Sequence, residues 1–462
     1  MTTNDSTCGI VVSRADPASV HIGEHLLDLD DWERTVDESR PDAAGGASVY
    51  RTAGFELREF DDLHLDLEGV ADAFADPDLV VFASKHAGDT GPLLTAHHTG
   101  NFGPADHGGA DGAFACSCAN AQSRVLDALR EHAPAKYDVG MEGTHHGPTD
   151  VGTPSMFVEL GSGESEWDDP DGARAVARAI LDLRGVAPHR DRQVVGFGGG
   201  HYVPRFERVV CETDWAVGHI GVDWALDAMG APNENRDVLQ RAFEQSAATR
   251  ALVEGERPGL VSAIEALGHR VVTETWLRET TGVPLDLVSR VERAIAPIGD
   301  GLRFGDRARA DSGAIDIATV SLPAALLGDA EGIDPEATRA AVERHAVAFD
   351  TEQGGSRLAG RVAFRDDDDR VAVVDAFAEI LDGKYERVER RDGALVAHET
   401  AFDPAAAHAA GVPEGPAFGR LANGETITVD GRTIDPAMVH DRREQRFLLG
   451  ECNDTPRTEG ER

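Results

Sequence analysis

The chain has 462 residues, which predicts two domains, and its 41% hydrophobic content excludes a globally disordered protein. It contains neither an apolar run of about 18 residues nor an N-terminal signal pattern, so we expect a cytoplasmic protein without membrane contact. Acidic residues number 83 against 44 basic ones, and the resulting net charge of −39, spread along the chain, is typical of a salt-adapted surface.

Apolar runs and helical spacing alternate along the first 295 residues. The predicted strands cover residues 8–14, 49–60 (a strand or hairpin), 78–84, 156–160 and 193–197. The predicted helices cover residues 18–27, 119–132 and 168–183. The apolar stretch at 113–118 predicts a further strand that buries Cys116 and Cys118. Strands that alternate with helices indicate an α/β domain, with a layered parallel or mixed sheet flanked by helices.

The composition changes near residues 296–313, which are rich in Gly, Asp and Arg. We therefore predict a first domain over residues 1–295, a second, smaller α+β domain over 313–450, and a disordered tail over 451–462. In the second domain a predicted helix near 335–348 lies among short strands. The sequence indicates no role for this domain.

Three windows, residues 84–101, 141–149 and 196–205, escape the acidic character of the rest of the chain. They hold 37 residues but only two acids, Asp89 and Glu142, where the chain average would give about seven. Nine of the 18 histidines lie between Ser84 and Arg205. Because salt adaptation adds acids to ordinary surface, we predict that these windows form a functional site.

Histidines and a glutamate in glycine-rich loops favour a divalent metal, above all zinc. The candidate ligands are His97, His98, His145, His146 and His201. Adjacent residues of an extended segment point to opposite faces, so we expect one histidine of each adjacent pair to face the site. Glu142 is interpreted as a ligand or a general base. For each histidine taken alone, a hydrogen-bonded structural role is the alternative.

Other motifs bear on whether the chain binds a dinucleotide, uses a serine nucleophile or binds phosphate. The glycines at 196–200 lack the last glycine of the dinucleotide fingerprint, because His201 stands there, and they suit phosphate binding or close backbone approach. No G-x-S-x-G elbow for a serine nucleophile occurs. Lys85 and Arg205 are each interpreted either as a clamp for phosphate or as ordinary surface charge.

The windows resemble the archaeal and plant type of D-aminoacyl-tRNA deacylase. The matching strings are SKHAGDTGPLLTAHHTGN from Ser84, GMEGTHHGPT from Gly140, FVELGS from Phe157 with Trp167–Asp168 after it, and GFGGGHYVPR from Gly196. They occur in the family's order and spacing over roughly residues 8–267, so the second domain is expected to be an extension of the salt-adapted members. The acidity does not exclude an RNA substrate, because the Debye length falls to about 3 Å in molar salt.

The resemblance implies hydrolysis of the ester that joins a D-amino acid to the 3′-terminal adenosine of tRNA, with zinc as cofactor. It also implies a core related to peptidyl-tRNA hydrolases and purine nucleoside phosphorylases, and we expect tRNA as the partner of a monomer. The predicted catalytic residues are Lys85, His86, Glu142 and Thr144. The predicted substrate-binding residues are Asn101, Gly198, Gly199, Gly200, Tyr202 and Arg205. The alternatives are another zinc hydrolase, such as a peptidase or amidohydrolase, and a non-catalytic zinc-containing RNA-binding module.

Overall fold

The computed structural model describes residues 7–310, 316–449 and 453–454, and the chain divides into two units, residues 1–281 and 282–462. The division lies between Thr281 and Gly282, whereas the composition had suggested a boundary at 295, so the shift at 296–313 falls within the second unit. Of the predicted tail at 451–462, only Asn453–Asp454 lies within the described residues. No described helix combines the length and the apolarity that crossing a membrane requires.

The first unit contains twelve strands and nine helices among its described residues. The strands are β1 (Cys8–Ser13), β2 (Glu33–Asp37), β3 (Ala44–Thr52), β4 (Phe55–Phe60), β5 (Leu79–Lys85), β6 (Leu93–His97), β7 (Asp138–Met141), β8 (Ser155–Gly161), β9 (Gln193–Phe197), β10 (Ala216–Gly221), β11 (Arg250–Val253) and β12 (Arg270–Val272). The helices are α1 (Pro17–Leu29), α2 (Ala119–His132), α3 (Glu164–Trp167), α4 (Pro170–Leu181), α5 (Pro204–Glu212), α6 (Asp223–Met229), α7 (Arg236–Gln245), α8 (Pro258–Ala266) and α9 (Glu274–Thr280).

The apolar runs at 8–14 and 78–84 become the buried middle of a sheet. Every residue of β1 is buried, and so is every residue of β5 except the last. After β1, the Asp16 carboxylate accepts hydrogen bonds from the backbone N–H groups of Ala18 and Ser19. This cap, with Pro17 in the first turn, starts helix α1 and places it directly after the strand.

The main sheet has eight strands in the order β2-β3-β4-β1-β5-β8-β6-β7. Strands β4, β1, β5 and β8 run parallel, whereas β2, β3 and β4 form an antiparallel meander and β6 runs antiparallel to β8. Helices α1, α2 and α4 pack on one another beside this sheet. The predicted α/β fold with a mixed sheet is therefore confirmed.

A second, wholly parallel sheet of the first unit has the order β10-β9-β11-β12. The predicted strand at 193–197 is confirmed as β9, but it lies in this sheet and not beside β5. The glycine-rich window follows the carboxyl end of β9, where open parallel sheets place their ligands.

One expectation of local structure was wrong. Residues 113–118 form only isolated bridges, Gly100 with Phe114 and Ser117 with Ser155, and Cys118 is the N-cap of α2. This segment is apolar enough to be buried, but its backbone partners lie far away in the sequence. The helix expected over 168–183 is confirmed as α4, which begins at Pro170 because the Asp169 side chain caps it.

The described part of the second unit is an α+β arrangement, as predicted. Its elements are α10 (Leu285–Ala294), β13 (Leu302–Phe304), β14 (Ala318–Ser321), α11 (Ala324–Ile333), α12 (Pro335–His345), β15 (Ala348–Glu352), β16 (Arg357–Phe364), α13 (Asp367–Leu381), β17 (Arg387–Arg391), β18 (Ala394–Phe402), α14 (Pro404–Ala409), α15 (Pro416–Ala422), β19 (Ile427–Val429), β20 (Arg432–Ile434), β21 (His440–Leu448) and β22 (Asn453–Asp454). They form sheets in the orders β13-β15-β16-β14-β22, β17-β18-β21 and β19-β20. One core joins the first two sheets to α11, α12 and α13 through buried side chains such as Phe349, Phe377 and Phe447.

Candidate active site

The first unit contains a cleft of about 580 Å³. The end of β5 and the middle of β8 form one wall, and the segments that follow β1, β4, β6, β7 and β9, together with Trp224 of α6, form the rest. Its lining includes Lys85, Glu142, His145, His146 and His201, which come from all three acid-poor windows. The three windows therefore meet in one cavity of the described chain.

Backbone pairing brings two of the windows together. Glu142 and Tyr202 form an antiparallel bridge, and the N–H of Gly143 donates to the carbonyl of His201 at 2.9 Å. As a result Nε2 of His201 lies 2.8 Å from Oε2 of Glu142. The turn that allows this path uses Gly198, whose φ of +100° favours glycine and whose added Cβ would lie 2.6 Å from a backbone oxygen.

Three histidines converge with the same ring nitrogen left free. Nδ1 of His97 donates to its neighbour's carbonyl at 3.1 Å, Nδ1 of His145 donates to the carbonyl of Gly143 at 2.9 Å, and Nδ1 of His146 donates to the carbonyl of Gly147 at 2.7 Å. In the neutral ring each Nε2 therefore keeps its lone pair. A backbone acceptor on one ring nitrogen is the usual way in which proteins orient a metal-ligating imidazole.

The three histidines lie close enough together to share one ion. One ligand atom from each of His97, His145 and His146 lies within 4.8 Å of the other two. A second such group consists of His86, Glu142 and His201. Nε2 of His97 and both carboxylate oxygens of Glu142 are buried without a hydrogen-bond donor in good geometry. Buried acceptors without donors are costly in a protein core, so this donor set fits a metal ion.

Electrostatics keep His145, His146 and Glu142 in the forms that bind metals, whereas His97 differs. Burial alone would lower the pKa of His97, but the contact with Glu159 outweighs it and raises the pKa, so His97 would give up a proton on binding a metal. Burial lowers the pKa of His145 to about 3, with the neighbouring His97 adding to the effect, and it lowers the pKa of His146 well below its ordinary value. Burial alone would raise the pKa of Glu142, but the contact with His201 and the nearby imidazoles outweigh it and hold the pKa below its usual range. Two histidines are thus neutral and the glutamate is ionised.

The adjacent histidine pairs behave differently from each other. His97 ends β6 and is fully buried behind His145 and His146, whereas His98 points the other way, so the expectation for this pair is met. His145 and His146 both line the cleft, with ring centroids 4.4 Å apart, so the expectation that they diverge was wrong. The reason is that φ of His146 is +46°, and the alternation of side chains holds only in extended backbone.

His98 and Thr144 lie away from the cleft wall and hold the core together. Nδ1 of His98 donates to Gly218 at 3.2 Å, and its Nε2 accepts from the N–H of Cys118 at 3.1 Å. The Thr144 hydroxyl accepts from the N–H of Ile220 at 2.9 Å and lies 3.2 Å from Nδ1 of His219. Neither side chain has an atom left for a ligand or a substrate.

His86 and Tyr202 form a chain of hydrogen bonds that ends near Glu142. Nδ1 of His86 lies 2.9 Å from the Ser162 hydroxyl, and its Nε2 lies 3.0 Å from the hydroxyl of Tyr202. The same Nε2 is 3.7 Å from Oε1 of Glu142. This arrangement places an imidazole and a phenol beside the unpartnered carboxylate.

Lys85 differs from the other two lysines. Lys136 and Lys384 each lie 2.8 Å from an aspartate. The ammonium of Lys85, by contrast, makes no ion pair with the described residues and lies 5.3 Å from the centre of the Trp167 ring, at the edge of the cleft. The cleft therefore offers one ammonium group outside a direct ion pair, although carboxylates such as Asp16 and Glu159 also line it.

The other predicted substrate-binding residues have protein partners. Arg205 is ion-paired with Glu274 at 3.3 Å and does not line the cleft. Asn101 lines it, but its amide donates to the carbonyls of Gly108 and Ala110 and so holds the loop. Gly198, Gly199 and Gly200 also lie outside the lining, and the N–H of Gly198 donates to a backbone carbonyl at 2.8 Å. These residues hold the loops around the cleft, and of them only Asn101 lines it.

Sequence reasoning missed Glu159 and Trp224. Glu159 lines the cleft from the middle of β8, 3.6 Å from Nε2 of His97, and burial raises its pKa. One charged residue within the apolar strand MFVELG was the available signal. Trp224 lines the cleft with half of its surface exposed, and nothing in its local sequence marked it.

A buried neutral histidine behind the site makes stability depend on pH. Burial lowers the pKa of His219 to about 4, while its Nε2 donates to the carbonyl of Ala115 at 2.8 Å. The unfolded chain takes up this proton near pH 6.5 but the folded protein does not, so stability is expected to fall between pH 6.5 and 4 by about 1.4 kcal/mol per unit from this group. In His219→Gln the slope of unfolding free energy against pH should flatten at constant salt, whereas the exposed His408→Gln should keep it. Equal slopes would contradict this.

Comparison with known proteins agrees with the sequence motifs. A family model described as D-aminoacyl-tRNA deacylase matches residues 73–272. Proteins named D-aminoacyl-tRNA deacylase from the halophilic archaea Halorubrum lacusprofundi and Haloarcula marismortui are 54% and 55% identical; each match covers 96% of this chain, with 97% and 100% of the relative.

More distant similarities extend the comparison. A protein of the same name from Methanococcoides burtonii is 32% identical over 95% of this chain and 96% of its own, so the similarity at this distance includes the second unit. The crystal structure of a conserved protein of unknown function matches with a TM-score of 0.54 and 25% identity, covering 60% of this chain and 98% of that one.

Proposed function

Since the chain belongs to the D-aminoacyl-tRNA deacylase family, we infer that it hydrolyses the ester bond of D-aminoacyl-tRNA and releases free D-amino acid and tRNA. The observation that carries the assignment of this reaction to the cleft is the convergence of three free imidazole nitrogens and an ionised glutamate from separate windows. The cytoplasmic location and the monomeric state stay predictions.

The metal that suits this donor set is zinc, which prefers imidazole nitrogen and accepts carboxylate oxygen. His97, His145 and His146 would hold it, because Nδ1 of each donates to a backbone carbonyl and leaves Nε2 as the ligand atom. His201 belongs to the adjacent group with Glu142. Bound there, zinc would supply a Lewis acid next to the ester.

The chain's own residues would carry the proton transfers. Glu142 is the proposed general base, because it lines the cleft and its Oε1 is buried without a hydrogen-bond donor, so that oxygen can accept the proton of an attacking water. His201, 2.8 Å from that carboxylate, orients it. His86 and Tyr202 are the proposed donors to the leaving ribose oxygen, since their hydrogen-bond chain ends beside Glu142.

Lys85 is proposed to bind the phosphate next to the terminal adenosine. The ester substrate carries its negative charge only on its phosphodiesters, and this ammonium makes no ion pair with a carboxylate of the described residues. The Lys85 ammonium lies over the ring of Trp167, and the Trp167 indole N–H donates to the carbonyl of His86 at 2.9 Å. The proposal gives no direct role to His98, Thr144 or Arg205, because all three side chains are already engaged.

The experiment that tests the function compares the two chiral forms of one substrate. Incubation with D- and L-aminoacyl-tRNA in molar salt should release the D-amino acid and leave the L-ester nearly intact, since a site shaped for one configuration excludes the other sterically. Molar salt is required, because self-repulsion of this acidic chain would otherwise unfold it. Equal release from both esters would point to an unspecific esterase.

Trp224 is proposed as a stacking surface for the terminal adenine. It lies on α6, lines the cleft and is 51% exposed. Stacking keeps its strength when salt screens charges, and a base on an aromatic ring is worth about 1–3 kcal/mol. Trp224→Ala is therefore expected to raise KM for D-aminoacyl-tRNA by about fivefold or more with little change in kcat, and Trp224→Phe should recover most of the loss. An unchanged KM in the alanine variant would exclude this role.

A further inference from the structure

Two strands of the second unit are rich in arginine although the chain as a whole is acidic. Strands β17 and β21 have five and nine residues, and together they hold six of the 44 basic residues, where the chain average would give about one. The six are Arg387, Arg390, Arg391, Arg442, Arg443 and Arg446. The same strands also hold three acids, Glu389, Asp441 and Glu444, which is close to the chain average, so an excess of arginine and not a lack of acids distinguishes them.

Strand register puts four of these arginines on one face of the sheet β17-β18-β21. The cross-strand partners on β18 of Arg391, Arg446, Arg387 and Arg442 are residues 394, 396, 398 and 400 in turn. Alternate residues of a strand share a face with their cross-strand partners. We call Arg387, Arg391, Arg442 and Arg446 the arginine face.

The opposite side of the same sheet is the one that is buried. Leu395, Ala397 and Phe447 belong to the hydrophobic core that includes Phe377 of α13. The members of the arginine face are all exposed. This sheet thus has a core side and a charged solvent side.

Only part of the positive charge of the arginine face is compensated within the chain. Arg387 and Arg391 pair with Glu389, and Arg391 also lies 3.2 Å from Glu444. The nearest carboxylate oxygen to Arg446 is 3.9 Å away, and Arg442 makes no ion pair with the described residues. Arg446 also donates to the Asp392 carbonyl at 3.4 Å, so both of its contacts within the chain are long, and the guanidinium of Arg442 is open to an external anion.

We propose that the arginine face binds the ribose-phosphate backbone of tRNA, outside the catalytic cleft. The proposal rests on the inferred deacylase activity for the identity of the polyanion, and on charge complementarity for the surface. Guanidinium groups bind phosphate through paired N–H donors. These directed hydrogen bonds persist in salt that screens the attraction between the charges. Arg442 and Arg446 are four residues apart on β21, about 13 Å, so the face spans several nucleotides of a backbone.

The test measures the affinity for uncharged tRNA, which requires no catalysis. Arg442→Gln combined with Arg446→Gln is expected to weaken binding by about fivefold or more in molar potassium chloride. The matched control, Arg339→Gln with Arg357→Gln, removes the same charge from arginines of similar exposure elsewhere in the second unit and should bind like the unmodified protein. Thermal unfolding verifies that both variants are folded.

Two further measurements separate this proposal from the proposed reaction. The slope of log affinity against log salt should fall by about two in the double variant if two phosphate contacts are lost. Hydrolysis of D-aminoacyl-adenosine, which carries no phosphate, should be unaffected. An unchanged tRNA affinity, an equal loss in the control variant, or competition by poly-L-glutamate in place of tRNA would overturn the proposal. A protein that binds tRNA through this face but does not hydrolyse the ester would overturn only the reaction.

Discussion

Glu142→Gln is expected to lower kcat for D-aminoacyl-tRNA hydrolysis by about 10²- to 10⁴-fold, which is the usual contribution of a general base. The substitution preserves the shape of the side chain, but the amide cannot take a proton from water. The protein should stay folded, because the glutamine amide keeps an oxygen that can accept from Nε2 of His201, which lies 2.8 Å from the carboxylate. Single-turnover kinetics in molar salt measure the effect, and KM for the tRNA should change little.

The control for this variant is a glutamate that lies outside the cleft. Glu265 lies exposed on α8, and Glu265→Gln should leave kcat unchanged. Metal content should also be the same in Glu142→Gln as in the unmodified protein. Loss of metal together with activity would make Glu142 a ligand and not the base, and activity within tenfold of normal would exclude both roles.

His146→Ala and His145→Ala are expected to abolish both metal binding and hydrolysis. Removing a partner that merely orients a ligand already costs about 10–100-fold in metal affinity, and removing the ligand itself should cost more. Zinc per chain, measured by elemental analysis after gel filtration, should fall close to zero in each variant. Chelation of the unmodified protein should abolish hydrolysis, and added zinc should restore it.

His98→Gln is the matched control, because His98 lies next to His97 but uses both ring nitrogens within the core. This variant should lose stability, by about 1–3 kcal/mol for a buried donor or acceptor left unpaired, and yet keep its zinc. If His98→Gln lost zinc while His146→Ala kept it, the ligand assignment would be wrong. If the alanine variants unfolded together with metal loss, the metal would be structural, as in the RNA-binding alternative.

The local sequence pattern predicted those helices and strands whose apolar residues recur with the period of the element. Helix α2 has the bounds expected from helical spacing, and β9 matches its apolar run. Prediction failed at 113–118, where an apolar stretch forms bridges to residues distant in the sequence. Burial can be read from composition, but the choice between strand and loop there depends on backbone partners that the segment does not encode.

For the candidate site, the acid-poor windows marked where side chains converge but not which of them face the cleft. In the sequence, Arg205 was as good a candidate for phosphate binding as Lys85. In the structure, it pairs with Glu274, which lies 69 positions away. Lys85 has no such partner among the described residues. The sequence did not mark Glu159, because its place in the site depends on the contact with His97, which lies on the neighbouring strand β6.

The amino-acid sequence by itself determined the salt-adapted surface, the α/β architecture and the imidazole and carboxylate chemistry of three windows, since these follow from composition and short-range spacing. Only the tertiary structure decided that His97 and not His98 joins the cluster, that a positive φ turns His146 beside His145, and that four arginines share a sheet face. The physical reason is the same in each case. Side-chain direction and charge compensation depend on contacts between residues far apart in the chain, and those contacts exist only once the chain has folded.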